Sequence, residues 1–273
     1  MDRLPLVGIG LTKAYEQNVG YLKRYADDTY RLIHMRSVRV AGLEERNPAK
    51  RERRSGCDAD KSDGSLSRTR SAIWELAICN PWDYFATLTL DPERRDRYDL
   101  NLIAKQLGKF INNYNFRTDA AVKYLLIPEH HRDGAIHFHG LLSGLPPSHL
   151  AAFKLSDKIP ARMKSMLREG RQLYDWPAYA KSFGFTSLET IRSPERCAAY
   201  MTKYITKELG KASVALNHHL YYCSKGLKRA EVLYRGAMVR SFESPDFAND
   251  YVRIKQFSDV SEAMSYFCDD MEE

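Results

Sequence analysis

Cysteine is scarce in this sequence, and no two cysteines are closely paired. The 273 residues contain five cysteines, an odd number, and none of them forms a Cys-x-x-Cys pair. Disulfide frameworks and cysteine zinc sites both need paired cysteines at short or regular spacing. The sequence therefore argues against both, and we expect a reducing, intracellular setting.

Long apolar runs are also missing. No stretch approaches the roughly 18 consecutive apolar residues that a membrane-spanning helix needs. The segment from Met1 to Leu11 has one basic residue, one acid and no long apolar core, so it does not resemble a secretory signal. We expect no membrane partner and a cytoplasmic location.

Acidic residues are fewer than basic ones. The chain has 42 Lys and Arg against 35 Asp and Glu, a formal net charge of +7, which favours an anionic partner without identifying it. A G-x-x-x-x-G-K-[ST] phosphate loop is absent, so we expect no ATPase or helicase module and no nucleotide cofactor. The 44% hydrophobic and 28% charged residues are ordinary globular values, which excludes a mostly disordered chain.

Composition divides the chain into four segments. Residues 1–45 are expected to be an N-terminal helical extension, with a helical stretch around Tyr21 to Val40. Residues 46–70 have hardly an apolar side chain and are expected to form a flexible basic linker, in which a solvated charge run is commoner than a nucleic-acid contact. Residues 71–240 are expected to form the main domain, and residues 241–273 a C-terminal extension.

Strand and helix patterns alternate within the main domain. Aromatic and β-branched runs predict strands at 84–90, 122–127, 135–142, 186–191, 221–223, 232–234 and 251–257. Helices are predicted at 71–79, at 100–114, where apolar residues recur at helical spacing, and from Ser193 to Gly210. This interleaving predicts an α+β fold with a mainly antiparallel central sheet.

The third strand, AIHFHGLL, carries two histidines on one face. Because side chains alternate along a strand, His137 and His139 point to one side and Phe138 to the other. Glu129 ends the preceding strand, and its carboxylate could reach the same face across a tight hairpin. Two imidazoles and a carboxylate are typical of a catalytic divalent metal site with open positions. A non-haem iron site, or a solvated sheet face with His130 and His131 as turn residues, remains open on this spacing alone.

The predicted helix after Ser193 has two faces. Ala198, Met201, Thr202, Ile205 and Leu209 form a mainly apolar stripe. Tyr200, Lys203, Tyr204 and Lys207 form a second stripe on nearly the opposite side. Such a face can be a solvated one on which lysine stems cover tyrosine rings. Alternatively, the ammonium groups favour the phenolate and attract phosphate, which suits tyrosines that act as nucleophiles.

Three segments in order, FATLTLD at 85–91, the hairpin with Glu129 and IHFHGLL, and YMTKYITK at 200–207, resemble a known family. They are similar to the three motifs of the HUH-superfamily rolling-circle replication initiators, in particular the two-tyrosine type of small single-stranded DNA phages. The resemblance implies an antiparallel sheet of ferredoxin or RNA-recognition-motif type, with the histidine strand central and the tyrosine helix beneath it.

The resemblance also implies residue roles. It implies that His137 and His139, with Glu129 as the third ligand, bind Mg²⁺ or Mn²⁺, and that Tyr200 and Tyr204 are the nucleophiles. Each tyrosine is followed after three residues by a lysine, Lys203 and Lys207, which would position phosphate or help ionise a phenol. A basic element after the tyrosine helix is similar to SKGLKR at 224–229, which implies DNA-backbone contacts by Lys225, Lys228 and Arg229.

The function implied is a metal-dependent, site-specific DNA-nicking endonuclease and strand-transferase that forms a 5′-phosphotyrosyl intermediate at a phage or plasmid origin in a bacterial cytoplasm. Its partners would be single-stranded or extruded origin DNA, a host helicase and the host replication machinery. A two-tyrosine transposase of the same superfamily is one alternative. A non-catalytic DNA-binding regulator with a structural metal site is another.

Overall fold

The computed structural model describes residues 15–26, 28–39, 59–193, 197–198, 201, 219–250 and 252–267. The chain divides into two compact units, one of Met1–Ser62 and Arg229–Glu273 and the other of Asp63–Lys228. Among the described residues, no helix has the length and apolar character needed to cross a membrane.

Strands and short helices alternate along the described chain. The strands are β1 (Tyr15–Arg24), β2 (Tyr30–Arg39), β3 (Tyr84–Thr89), β4 (Lys123–His130), β5 (Ile136–Ser143), β6 (Ala151–Ala152), β7 (Leu173–Asp175), β8 (Thr186–Thr190), β9 (Tyr222–Cys223), β10 (Glu231–Ala237), β11 (Phe247–Ala248) and β12 (Val252–Phe257). The helices are α1 (Ala59–Ile78), α2 (Leu100–Thr118), α3 (Ala161–Arg168), α4 (Pro177–Ser182) and α5 (Val260–Met264), with a 3₁₀ turn at Pro147–His149.

A seven-stranded sheet forms the centre of the larger unit. Its strand order is β6-β7-β8-β3-β5-β4-β9, and every neighbouring pair is antiparallel. The histidine strand β5 lies between β3 and β4, inside the sheet. The predicted α+β fold with an antiparallel sheet is therefore confirmed.

Helix α2 covers one face of this sheet. It begins after Asp99, whose carboxylate accepts a hydrogen bond from the Leu102 amide at 3.0 Å and so caps the helix. The apolar positions predicted at helical spacing are the buried ones, and they pack with Phe138 and Leu142 of β5. Burial of this stripe fixes α2 on the face opposite to His137 and His139.

The other sheet face carries a second apolar cluster. The C-terminal half of α1 contributes Ile73, Leu76 and Ala77, which pack with Leu125 and Ile127 of β4 and with Leu141 of β5. Leu141 and His139 are two positions apart along β5, so the cluster and the two histidines share one face of the sheet. We refer to it as the histidine face.

The helix predicted around Tyr21 to Val40 is wrong. These residues form β1 and β2, which pair antiparallel with Tyr21 opposite Ile33. The strands also pair with β10 and β12, which lie near the other end of the chain. Mixed local periodicity could not reveal this, because strand preference depends on partners that are distant in sequence.

The flexible linker predicted for residues 46–70 is wrong over residues 59–70, because α1 begins at Ala59. The predicted helix at 71–79 is the part of α1 that packs on the sheet. Once that part has formed, each further residue adds a helical hydrogen bond without a new nucleation cost. The helix can thus extend into a polar sequence. Residues 46–58 lie outside the described part of the chain.

The smaller unit is built on a five-stranded antiparallel sheet of order β10-β1-β2-β12-β11. One face packs Leu22 and Leu32 against Phe242, Phe257 and other aromatic side chains. A short C-terminal helix was predicted, and α5 with its Asp259 cap is present there. Strands from before and after the larger unit therefore join in one sheet.

Candidate metal centre and its surroundings

A tight turn sets the register of the β4–β5 hairpin. The His131 amide donates to the Ala135 carbonyl at 2.8 Å, and the Gly134 amide donates to the His131 carbonyl at 3.0 Å. Gly134 has a φ of 83°, a conformation that glycine adopts without steric cost. The turn lies at the Arg132-Asp133-Gly134 segment where the sequence predicts one.

The hairpin register brings the three predicted ligands onto one face. Glu129 lies directly opposite His137, and Ile127 directly opposite His139. Directly opposed residues of an antiparallel pair point to the same side of the sheet. The carboxylate of Glu129 therefore points toward the two imidazoles, as the sequence predicted.

Three ligand atoms converge at this point. The Glu129 Oε2 atom is 3.1 Å from His137 Nε2 and 2.9 Å from His139 Nε2. The two Nε2 atoms are 2.8 Å apart. Among the described residues, these three form the group that has the side chains and the proximity to hold a metal ion.

Burial and donor chemistry suit a divalent cation. Glu129, His137 and His139 are 6%, 7% and 9% exposed. A buried carboxylate needs a compensating positive charge or hydrogen bonds, and neutral imidazoles present a nitrogen lone pair each. One carboxylate oxygen and two Nε2 atoms, all turned inward, are a donor set that a divalent metal ion satisfies.

A hydroxyl on the neighbouring strand orients one imidazole. Thr87 of β3 lies opposite His139, and its Oγ1 atom is 3.1 Å from His139 Nδ1. With Nε2 directed at a metal, Nδ1–H would donate to this hydroxyl, which holds the ring in one tautomer. Phe85 stacks on the same ring with centroids 6.1 Å apart. Thr87 was missed from the sequence, although the alternation in FATLTLD places it on the same face as Phe85.

The other two histidines of the hairpin differ from each other. The exposed His131 ring lies 4.2 Å from the His137 ring, centroid to centroid. His130 is also exposed, and its register partner is Ile136, which points to the α2 side of the sheet. His131 therefore borders the candidate metal centre, whereas His130 belongs to the opposite face.

The predicted tyrosine helix is described at three residues, Cys197, Ala198 and Met201, all of them helical. Ala198 and Met201 are fully buried and pack in the cluster on the histidine face. The predicted packing of these two members of the apolar stripe is confirmed. Tyr200, Lys203, Tyr204 and Lys207 lie outside the described residues.

Cys197 marks where this segment meets the sheet. Burial, and secondarily the Glu189 carboxylate of β8, raise the pKa of the Cys197 thiol to about 11. Its amide donates to the Ser193 carbonyl at 3.1 Å, as expected for a helix that begins near the predicted cap. The thiol is therefore protonated at neutral pH and has no role as a nucleophile.

The basic segment after the tyrosine helix is held on β4 and α1. Strand β9 pairs with β4, and Leu227 packs in the cluster on the histidine face. The buried Asn80 side chain donates to the Lys228 carbonyl at 2.9 Å and accepts from the Lys228 amide at 2.8 Å. Lys225, Lys228 and Arg229 are exposed. Arg229 is the first residue that falls in the smaller unit.

Residues 83–209 match the family model of the replication-associated proteins of the ORF2 type. The match supports a replication initiator, and it spans the FATLTLD strand, the β4–β5 hairpin and the YMTKYITK segment. No curated protein and no solved structure matches the chain significantly.

Proposed function

We propose that this protein is a rolling-circle replication initiator of the two-tyrosine HUH type, which nicks one strand of origin DNA and later rejoins it. The observation that carries the proposal is the position of Glu129, His137 and His139. Their ligand atoms converge on the sheet face against which Ala198 and Met201 pack. Met201 is adjacent in sequence to Tyr200, so a metal centre and a candidate nucleophile belong to one side of the sheet.

The buried triad would hold Mg²⁺ or Mn²⁺. When bound, such an ion polarises a non-bridging oxygen of the scissile phosphate as a Lewis acid. Glu129 supplies the charged ligand, while His137 and His139 supply neutral nitrogens. Thr87 keeps the His139 ring in the tautomer that presents the Nε2 lone pair to the metal.

Tyr200 and Tyr204 are proposed as the nucleophiles. The phenolic oxygen of one tyrosine attacks the phosphorus, the P–O3′ bond breaks, and the proton lost from the phenol is balanced by the proton gained by the 3′-oxygen. The 5′-phosphate stays on the tyrosine as an ester, and the free 3′-hydroxyl primes synthesis. After one round the second tyrosine cleaves the regenerated junction, and the released 3′-hydroxyl attacks the first ester to close a circle.

Lysines assist the tyrosines in this proposal. Lys203 and Lys207 each follow a tyrosine by three residues, a spacing that puts the two side chains on one face of a helix. An ammonium group beside a phenol lowers the pKa of that phenol and attracts the phosphate. Lys225, Lys228 and Arg229 are exposed and would contact the DNA backbone, which contributes affinity without sequence preference.

The substrate in this proposal is single-stranded or extruded origin DNA. The net charge of +7 suits a polyanion. The sequence contains no phosphate loop of the ATPase type, so a separate host helicase would open the duplex. The proposed site of action is a phage or plasmid origin in the cytoplasm of the bacterial host.

A covalent-capture assay tests the proposal. The protein is incubated with labelled single-stranded DNA from its own replicon and Mn²⁺, then denatured and separated by electrophoresis. We expect a DNA-linked protein band that chelation of the metal abolishes. If the wild-type protein binds this DNA but gives no such band, the nicking function is wrong, and a non-catalytic DNA-binding role takes its place.

A further inference from the structure

Two solvent-accessible aromatic rings lie on the histidine face, beyond the candidate metal centre. Phe185 is 39% exposed, although it is a large apolar side chain next to the sheet. Its ring packs against the half-buried ring of Phe153, with centroids 5.8 Å apart and planes tilted by 35°. We call this pair the phenylalanine shelf.

Strand register places the shelf near the metal centre. The Thr89 amide donates to the Phe185 carbonyl at 2.9 Å, and Thr89 lies opposite His137 on the next strand. Phe185 is thus two strands from His137, roughly 10 Å at the usual strand spacing. Both residues lie at the same end of the sheet.

Side-chain alternation places the shelf and the metal centre on the same face. Thr87, whose hydroxyl contacts His139, lies opposite Ser187 of β8. Phe185 precedes Ser187 by two residues and therefore points to the same side. The Phe153 ring is on that side as well, because it packs against Phe185.

Basic residues surround the shelf in sequence. Lys154 directly follows Phe153, Lys181 precedes Phe185 by four residues, and both are exposed. The stretch 151–168 that contains Phe153 has a single acid, Asp157. Its basic residues are Lys154, Lys158, Arg162, Lys164 and Arg168. Accessible aromatic rings combined with positive charge are typical of surfaces that bind single-stranded nucleic acid.

We infer that the phenylalanine shelf stacks unpaired bases of the single-stranded DNA a few nucleotides from the phosphate at the metal centre. The inference rests on the proposed function, because it takes the same DNA strand as the occupant of the whole histidine face. Stacking orients the strand without reading its sequence, since every base has a π-face. The shelf thus contributes affinity for bases beside the site, and the lysines contribute attraction to the backbone.

The test compares stacking with charge. Binding of a dT oligonucleotide and of an abasic oligonucleotide of the same length is measured by fluorescence anisotropy in the presence of a chelator, so that no cleavage occurs. We expect the double substitution of Phe153→Ala with Phe185→Ala to weaken binding of the dT strand by about 5- to 100-fold. Binding of the abasic strand should stay unchanged, because its phosphates are the same.

Two further variants control for folding and for exposed rings in general. Phe116 is 92% exposed on α2, on the other face of the sheet, and Phe116→Ala should bind both strands as the wild type does. Phe185→Trp preserves a stacking ring and should retain binding of the dT strand. The inference is overturned if the double variant binds the dT strand with wild-type affinity, or if it loses affinity for both strands equally.

The two proposals can fail separately. If the wild-type protein forms a covalent DNA adduct and the double variant still binds the dT strand normally, the shelf is wrong and the nicking function stands. If the wild-type protein gives no adduct while the dT-specific loss is observed, the shelf binds DNA and the nicking function is wrong.

Discussion

Glu129 and His137 lie directly opposite each other across the β4–β5 hairpin, with Glu129 Oε2 3.1 Å from His137 Nε2. This pairing gives the candidate metal centre its one negative charge, on a hairpin whose turn fixes the register. A slip of one residue would move Glu129 to the opposite face of the sheet. The identity of the metal-binding side chains therefore depends on the hairpin register.

Removal of the carboxylate should abolish metal binding at this centre. Glu129→Ala leaves two neutral imidazoles, and we expect Mn²⁺ affinity and DNA cleavage to fall by about 100-fold or more, because several kcal/mol of metal-dependent stabilisation are removed. Mn²⁺ binding is followed by isothermal titration. His130→Asn is the matched control, since His130 neighbours Glu129 in sequence but points to the opposite face. An equal decrease in both variants would contradict the site.

Thr87 should affect the metal centre through His139 alone. Thr87→Val preserves the shape of the side chain but removes the hydroxyl that is 3.1 Å from His139 Nδ1. We expect Mn²⁺ affinity to fall by about 10- to 100-fold while the fold is retained, as measured by titration and by thermal unfolding. Thr89→Val, the same change two residues along β3, serves as the control. Unchanged Mn²⁺ affinity in Thr87→Val would show that the hydroxyl does not position the ring.

The basic segment held by Asn80 should bind DNA phosphates. Replacing Lys225 and Lys228 by Gln removes two exposed charges, so the slope of log affinity for single-stranded DNA against log salt should decrease by about 0.7 for each phosphate that is no longer neutralised. Lys105→Gln with Lys109→Gln, on exposed positions of α2, is the matched control. The same slope change in both double variants would mean that only net charge matters.

His34 should make the smaller unit sensitive to mild acid. Burial, followed by repulsion from Arg253 and Arg36, lowers the pKa of His34 below its ordinary value of 6.5, and its Nδ1 atom is 3.3 Å from Ser241 Oγ. The unfolded chain therefore binds a proton at a higher pH than the folded one. The free energy of unfolding should fall as pH drops below about 6.5, until the folded-state pKa is reached.

Hydrogen exchange of the β1 and β2 amides measures this effect. Protection should decrease between neutral and mildly acidic pH in the wild type, after correction for the intrinsic exchange rate. His34→Asn should reduce that decrease, whereas His149→Asn, in the larger unit, should leave it unchanged. Identical pH dependence in His34→Asn and in the wild type would assign the acid sensitivity to other groups.

The sequence predicted the centre of the larger unit well because its signals are local. The α2 periodicity, the alternation in β5 and the turn at Gly134 each depend on a few neighbouring residues, and together they fix the face on which His137 and His139 lie. The contact between Thr87 and His139 was not predicted, because it needs the pairing of β3 with β5, which the sequence does not specify.

Sequence-based prediction failed where distant segments determine the structure. Strands β1 and β2 owe their form to pairing with β10 and β12, and no local pattern within residues 21–40 reveals those partners. The phenylalanine shelf was not predicted for a similar reason. Phe153 and Phe185 are far apart in sequence, and only the pairing of β6, β7 and β8 brings their rings into contact.

The central claim is that a tyrosine of the YMTKYITK segment becomes covalently joined to the 5′-phosphate of the nicked strand. Mass spectrometry of the tryptic peptides from the DNA-linked band, after nuclease digestion, measures this directly. We predict a nucleotide adduct on Tyr200 or Tyr204, and no adduct when both are replaced by Phe. An adduct on another residue, or a covalent band that persists in the Tyr200→Phe, Tyr204→Phe variant, would contradict the account.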